Sequence, residues 1–262
     1  MVLIESICIF AALAFYAATF LAAAVAIAFK ESWARALSPL LGLAWILQLV
    51  ALVWRGVAQA SPPFITYFES VSFGCWLAAG VYLLFARKFP AVVGATVAIV
   101  NFLLLGSAAL APRPLMPLPP GLQSWWLLFH VVFALLTFGV LLVGTGAAAA
   151  FLLPSRFSFD RERLGRRLVP CLSFAFMSQL AMIASGAIWA QKAWGRYWGW
   201  DPIETFSLLT WLVYGAALHA HYTYGWKEKR LAWVLVAGML MAGYGIWGVP
   251  YFSPSVHLYQ VQ

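Results

Sequence analysis

WWLLFHVVFALLTFGVLLVGTGAAAAFLL, residues 125–153, contains one ionisable side chain, His130. A helix needs about 20 apolar residues to cross the hydrocarbon core of a bilayer, so this segment reads as a membrane span. Seven further stretches read the same way, near 5–29, 37–54, 69–86, 91–111, 171–190, 205–224 and 231–249. The fourteen prolines fall between these spans or at their edges, as helices in lipid prefer. Composition agrees: 64% of residues are apolar or aromatic and 9% are charged, against about 25% charged in a soluble domain. Disorder, a secreted disulfide scaffold and an ordinary cytosolic enzyme are excluded. The expected fold is all-α: one polytopic membrane domain over 1–262 with about eight transmembrane helices.

The net charge of +8 follows membrane topology and not nucleic acid. Lys30, Arg35, Arg87, Lys88, Arg156, Arg161, Arg163, Arg166, Arg167, Lys227, Lys229 and Arg230 fall on one side. Only Arg55, Arg113, Lys192 and Arg196 fall on the other. The positive-inside rule assigns the first set to the cytoplasm and both chain ends to the outside. The first span lacks a charged segment before it and is followed by Lys30 and Arg35, so it reads as a retained helix and not a signal peptide. Cys8, Cys75 and Cys171 form no CxxC pair and read as buried spectator thiols.

In such a chain the loops and the few intramembrane polar groups carry the information. The basic loop 154–170 reads as a topology anchor, and PRPLMPLPPGLQS at 112–124 as a stiff extended connector on the outside. Between spans six and seven lies WAQKAWGRYWGW, residues 189–200, with Trp189, Trp194, Trp198 and Trp200 beside Lys192 and Arg196. Asp201, Pro202 and Glu204 then have the spacing of an N-cap, a first-position proline and a capping box. One reading is an interfacial aromatic belt over a capped helix. The other is a platform for a flat apolar ligand with acidic substituents, such as a porphyrin.

The histidines bear on that choice. His130 sits one and a half turns into span five, roughly 8 Å below its outer end, and His257 follows span eight on the same side. Both can reach the tryptophan loop, and imidazole is a common axial ligand of haem iron. His219 falls in the inner leaflet, where an ionisable group is a functional candidate by default. His221, two residues on, points elsewhere on the helix.

WGRYWGWDPIETFSLLTWLVYGAALHAH, Trp194 to His221, resembles the tryptophan-rich (WWD) signature of the cytochrome c assembly proteins, in particular the CcsA/ResC subunit of system II. YFESVSFGCW at 67–76 and LQSWWLLFHV at 122–131 resemble further segments of that family in the same order. The family usually reads GLHSYG after its last helix, where this chain has FSPSVHLY at 252–259. The resemblance implies His130 and His257 as external haem ligands and His219 as an inner-leaflet ligand. It implies Trp194, Trp198, Trp200 and Asp201 as the haem-holding motif, with Arg196 a candidate for the propionates and Glu69 a further cofactor-site candidate. It also implies that haem b is taken outward and presented to the CxxCH motif of an apocytochrome c, whose two thiols add to the vinyl groups. Implied partners are a ResB/CcsB-type membrane subunit and, indirectly, thiol-reducing proteins. The implied location is a bacterial inner membrane or a thylakoid membrane. The chain would be the WWD subunit of a cytochrome c synthase complex. A haem-b electron-transfer subunit using the same histidines is the alternative.

Overall fold

The computed structural model describes residues 2–29, 31–153 and 160–249, and these form eight long helices. They are α1 (Val2–Ala28), α2 (Ala34–Gln59), α3 (Tyr67–Phe85), α4 (Ala91–Leu110), α5 (Trp125–Leu152), α6 (Arg161–Trp194), α7 (Pro202–Tyr224) and α8 (Glu228–Gly243), the last continued by a π-turn at Tyr244–Gly248. Seven are long and apolar enough to cross a membrane. α7 has the length, 23 residues, but with Glu204, Thr205, Thr210, His219 and His221 it has no continuous stretch as apolar as those of the other seven. α5 runs through the middle of the bundle, touching α3, α4, α6 and α8. α1 packs on α2 and α4 to one flank, and α7 on α6 and α8 to the other. One end of the bundle carries the tryptophan loop. The other carries Lys88, Arg163, Arg166, Arg167 and Arg230.

Small residues set the spacing of the central helices. A β-carbon on Gly139 would lie 3.0 Å from the Ala78 backbone of α3, and one on Gly146 3.0 Å from Val93 Cα of α4. In lipid, helix association depends on such close packing and on polar contacts, because the surrounding solvent is as apolar as leucine. Buried polar contacts tie the same helices together. Tyr16 donates to Gln48 Oε1 at 2.7 Å, Gln48 donates to Ser72 O at 2.8 Å, and Asn101 donates to Cys75 O at 2.9 Å. Cys8 and Cys75 are buried, Cys171 is half-buried, and no group of three metal-ligating side chains forms among the described residues.

Two expectations need correcting. α6 begins at Arg161, well before the expected 171, so Pro170 lies inside a helix, as does Pro39 in α2. Local chemistry explains the extension. Asp160 caps α6 by accepting from Arg163 N–H at 2.9 Å, and Glu162 pairs with Arg166 one turn on. These turns are sustained by polar groups that hydropathy does not count. Arg55, counted among the charges outside the membrane, is instead 1% exposed.

The Arg55 guanidinium joins three helices and a loop. Its Nε donates to Glu69 Oε1 of α3 at 2.7 Å, Nη1 to Glu5 Oε2 of α1 at 3.2 Å, and Nη2 to the Pro114 carbonyl at 2.5 Å. Arg113 lies 3.8 Å from Glu5 Oε1, and both arginines lie over the Phe68 ring. Glu69 also accepts from Ile65 and Thr66 N–H at 2.9 and 3.2 Å, closing a capping box with Thr66 at the start of α3. Removing one partner of a buried pair leaves an uncompensated charge and costs about 3–5 kcal/mol. Arg55→Met is therefore expected to cost about that much stability, read as a lower thermal midpoint of the purified protein. A midpoint within about one degree of the parent is the contrary result.

Candidate functional site

The tryptophan loop is built around one carboxylate. α6 ends at Gly195, which takes a left-handed φ of 73° and donates to Gln191 O. Trp200 also has a left-handed φ, 55°, where a bulky side chain costs on the order of 1–3 kcal/mol. The peptide N–H groups on either side of it, from Gly199 and Asp201, both donate to Glu204 Oε2, at 2.8 and 3.1 Å. Asp201 in turn accepts from Ile203 N–H at 2.9 Å, and the expected capping box is complete, with Pro202 in the first turn. Glu204 thus caps α7 and clamps the strained turn. The clamp leaves Trp200 70% exposed, with its ring edge-on to Trp198 at 5.9 Å.

Beneath the loop, α5, α6 and α7 enclose two adjoining cavities that share His130, Met182, Ile203 and Ser207. The outer one, a cleft of about 30 Å³, is walled by Trp189, Trp194, Tyr197, Trp198 and Glu204. The inner one, about 110 Å³ and partly open, continues between Gln179, Thr210 and the π-turn after α8. His130 stands where they meet. Its Nδ1 lies 2.9 Å from the Met182 carbonyl. A carbonyl only accepts, so Nδ1 carries the hydrogen. Metal-ligating histidines are commonly oriented this way, with the second ring N–H on a backbone carbonyl. Gly186 makes the arrangement possible, because a β-carbon there would lie 2.5 Å from His130 Nδ1. On the cavity wall, the Trp198 indole N–H is buried with no acceptor among the described residues. An imidazole set by a carbonyl, aromatic walls and a donor lacking an acceptor suit a flat aromatic ligand with polar substituents.

The remaining expected residues are dispersed. Arg196 is exposed and packs its guanidinium where a Gly199 side chain would be. Lys192 lines a separate surface groove with Trp125, Trp126 and Pro120. The 112–124 connector packs Leu118 and Leu122 with Trp189 in a small core beside that groove. Glu69 belongs to the Arg55 network and does not line either cavity. His219 is far from the loop: as the eighteenth residue of α7 it lies about 26 Å along the helix from Pro202. It is exposed, with Nδ1 3.4 Å from Thr223 Oγ1. His221 instead fastens the α7–α8 turn by donating from Nδ1 to Trp226 O at 2.7 Å. His257 lies outside the described residues. The carbonyl of Met182 and the space at Gly186 carried no signal in the sequence, because both depend on the register of α6 against α5.

These features define a polytopic membrane protein with a histidine-centred, tryptophan-walled site at one end. The cytochrome c assembly protein model matches residues 64–257. The chain is 31% identical over 239 residues to the cytochrome c biogenesis protein CcsA of Chlamydomonas reinhardtii, covering 84% of this chain and 67% of that protein. It is 30% identical to the CcsA of Synechococcus sp. (strain RCC307), covering 88% and 86%. The chain belongs to the CcsA cytochrome c assembly family and serves cytochrome c biogenesis. Family membership implies haem handling.

The clamp has a measurable consequence. Glu204→Ala removes the acceptor of two N–H groups, each worth about 1.5–3 kcal/mol when the partner is charged. Hydrogen exchange at Gly199 to Ile203 is expected to quicken by tenfold or more, while α1 to α4 are unaffected. Unchanged exchange in the loop would show that Glu204 does not hold it.

Proposed function

We propose that this chain holds haem b at its tryptophan end and presents it to an apocytochrome c. The observation that carries this reading is the place of His130, held through Nδ1 by the Met182 carbonyl where the two cavities meet. Trp194 and Trp198 supply the wall for the macrocycle. Asp201 and Glu204 hold the loop, and Trp200 is turned outward, where an incoming CxxCH segment would meet it. Arg196, exposed on the loop, is suited to a propionate. His257 would be the opposite axial ligand, displaced by the histidine of the substrate. The excess of Lys and Arg at the far end supports a tryptophan end that faces the outside of a bacterial inner membrane or the thylakoid lumen.

The chemistry needed from the protein is positioning. Each substrate thiol adds across one vinyl group, forming a C–S and a C–H bond, so no external oxidant enters the step. Substrate thiols must reach the site reduced, which is the indirect part of thiol-reducing proteins. His130 fixes the iron, the aromatic walls exclude water, and the loop sets the face that the peptide approaches. Glu69 acts in this scheme by holding the frame of α3 through Arg55.

Along the length of α7, Thr205, Leu209, Leu212, Ala216, His219 and Thr223 are all exposed and repeat every three and four residues. That is the spacing of a helix–helix seam. A ResB/CcsB-type subunit seated on it would bring a second ligand to His219 and complete an inner-leaflet haem site within a cytochrome c synthase complex.

His130→Gly is expected to lower the haem that copurifies with the protein and to block cytochrome c maturation, with protein levels unchanged. Added imidazole should restore part of both by filling the vacated position. Wild-type maturation by His130→Gly, with full haem, would remove His130 from the site.

A further inference from the structure

At the basic end, a groove of about 760 Å³ opens between α3, α5 and α6. Its rim carries Lys88, Arg163, Arg166 and Arg167, and no carboxylate lines it. Below the rim the walls are apolar: Val81, Leu84 and Phe85 of α3, Leu136, Val140 and Val143 of α5, and Phe174 of α6. From Arg163 to Phe174 the wall runs about 16 Å along α6, close to half of a hydrocarbon core about 30 Å thick. Leu84 and Phe174 are 78% and 53% exposed, so the groove opens sideways, toward the acyl chains.

The cations are set in place by their surroundings. Arg167 lies over the Phe89 ring at 5.2 Å and Lys88 over the Phe85 ring at 5.1 Å, contacts that hold a cation at the edge of apolar surface. Of the nearby acids, Glu162 pairs with Arg166, and Asp160, which accepts from the Arg163 backbone, also acts electrostatically on Arg167 from outside the groove lining. Lys88, Arg163 and Arg167 therefore face the groove mouth without a carboxylate among its lining residues. A soluble anion would use the rim and leave the apolar walls idle. An uncharged lipid would do the reverse.

We propose that this groove binds a phospholipid with a net-negative headgroup, its phosphate at Arg163, Arg167 and Lys88 and one acyl chain along Leu136, Val140 and Phe174. Basic pockets between helices on the cytoplasmic side commonly recognise such headgroups, with each cation near the surface worth about fivefold in affinity. The site is separate from the His130 cavities and does not depend on the haem reading.

The test is native mass spectrometry of the delipidated, full-length protein with phosphatidylglycerol or phosphatidylcholine of matched chains. Phosphatidylglycerol is expected to bind at least tenfold more tightly, with the preference falling as salt rises. Arg163→Gln together with Arg167→Gln should abolish the preference, by about tenfold or more. Val140→Trp, which fills the groove and leaves the rim intact, should weaken both lipids. Inorganic phosphate alone should not displace the lipid. Equal binding of the two lipids by the parent protein, or displacement of the lipid by added haem, would overturn the proposal. The salt series on the parent protein decides the matter even if the variants fold poorly.

Discussion

Inside a bilayer no water is at hand to solvate a charge, so the Arg55 guanidinium must find its partners within the chain. It finds them in Glu5, Glu69 and the Pro114 carbonyl, and in doing so ties α1, α2 and α3 to the external connector. Much of the outer architecture depends on this junction. With α3 anchored, α5 packs against it through Gly139, and α6 packs against α5. His130 on α5 and Met182 on α6 then come within hydrogen-bonding distance. A charge cluster on one flank thus helps set the helix register on which the candidate site on the other flank depends.

The site uses the same economy of polar atoms. One carboxylate, Glu204, satisfies the two N–H groups flanking Trp200 and caps a helix. One carbonyl, that of Met182, sets the tautomer of His130. The tryptophans of the loop differ in placement. Trp189, which is buried, lines a cavity with Trp194, Trp198 and His130, and Trp200 projects into the surroundings. The strained backbone at Trp200 is what directs that last ring outward.

The spans were readable because hydrocarbon thickness dictates run length, and the α7 cap because Asp-Pro-x-Glu is local chemistry. Their limits have the same origin. The start of α6 was missed because Asp160 and Glu162 extend the helix with polar contacts. Arg55 was mistaken for a topology charge because its partners lie 14 and 50 residues away. The depth of His130 followed from counting residues, whereas Gly186 and Met182 could not be foreseen from a sequence without helix register. Family resemblance supplied the class of activity; the geometry supplied the tautomer, the clamp and the exposed seam of α7 that contains His219.

The central claim is that His130 Nε2 is an axial ligand of haem held at the tryptophan end. Electron paramagnetic resonance of the ferric, haem-loaded complex tests it most directly when His130→Met is compared with the parent. The account predicts that the low-spin signal of paired imidazoles at this site is lost and replaced by a high-spin or histidine–methionine signal, with the protein folded. An unchanged low-spin spectrum at full haem content would contradict it.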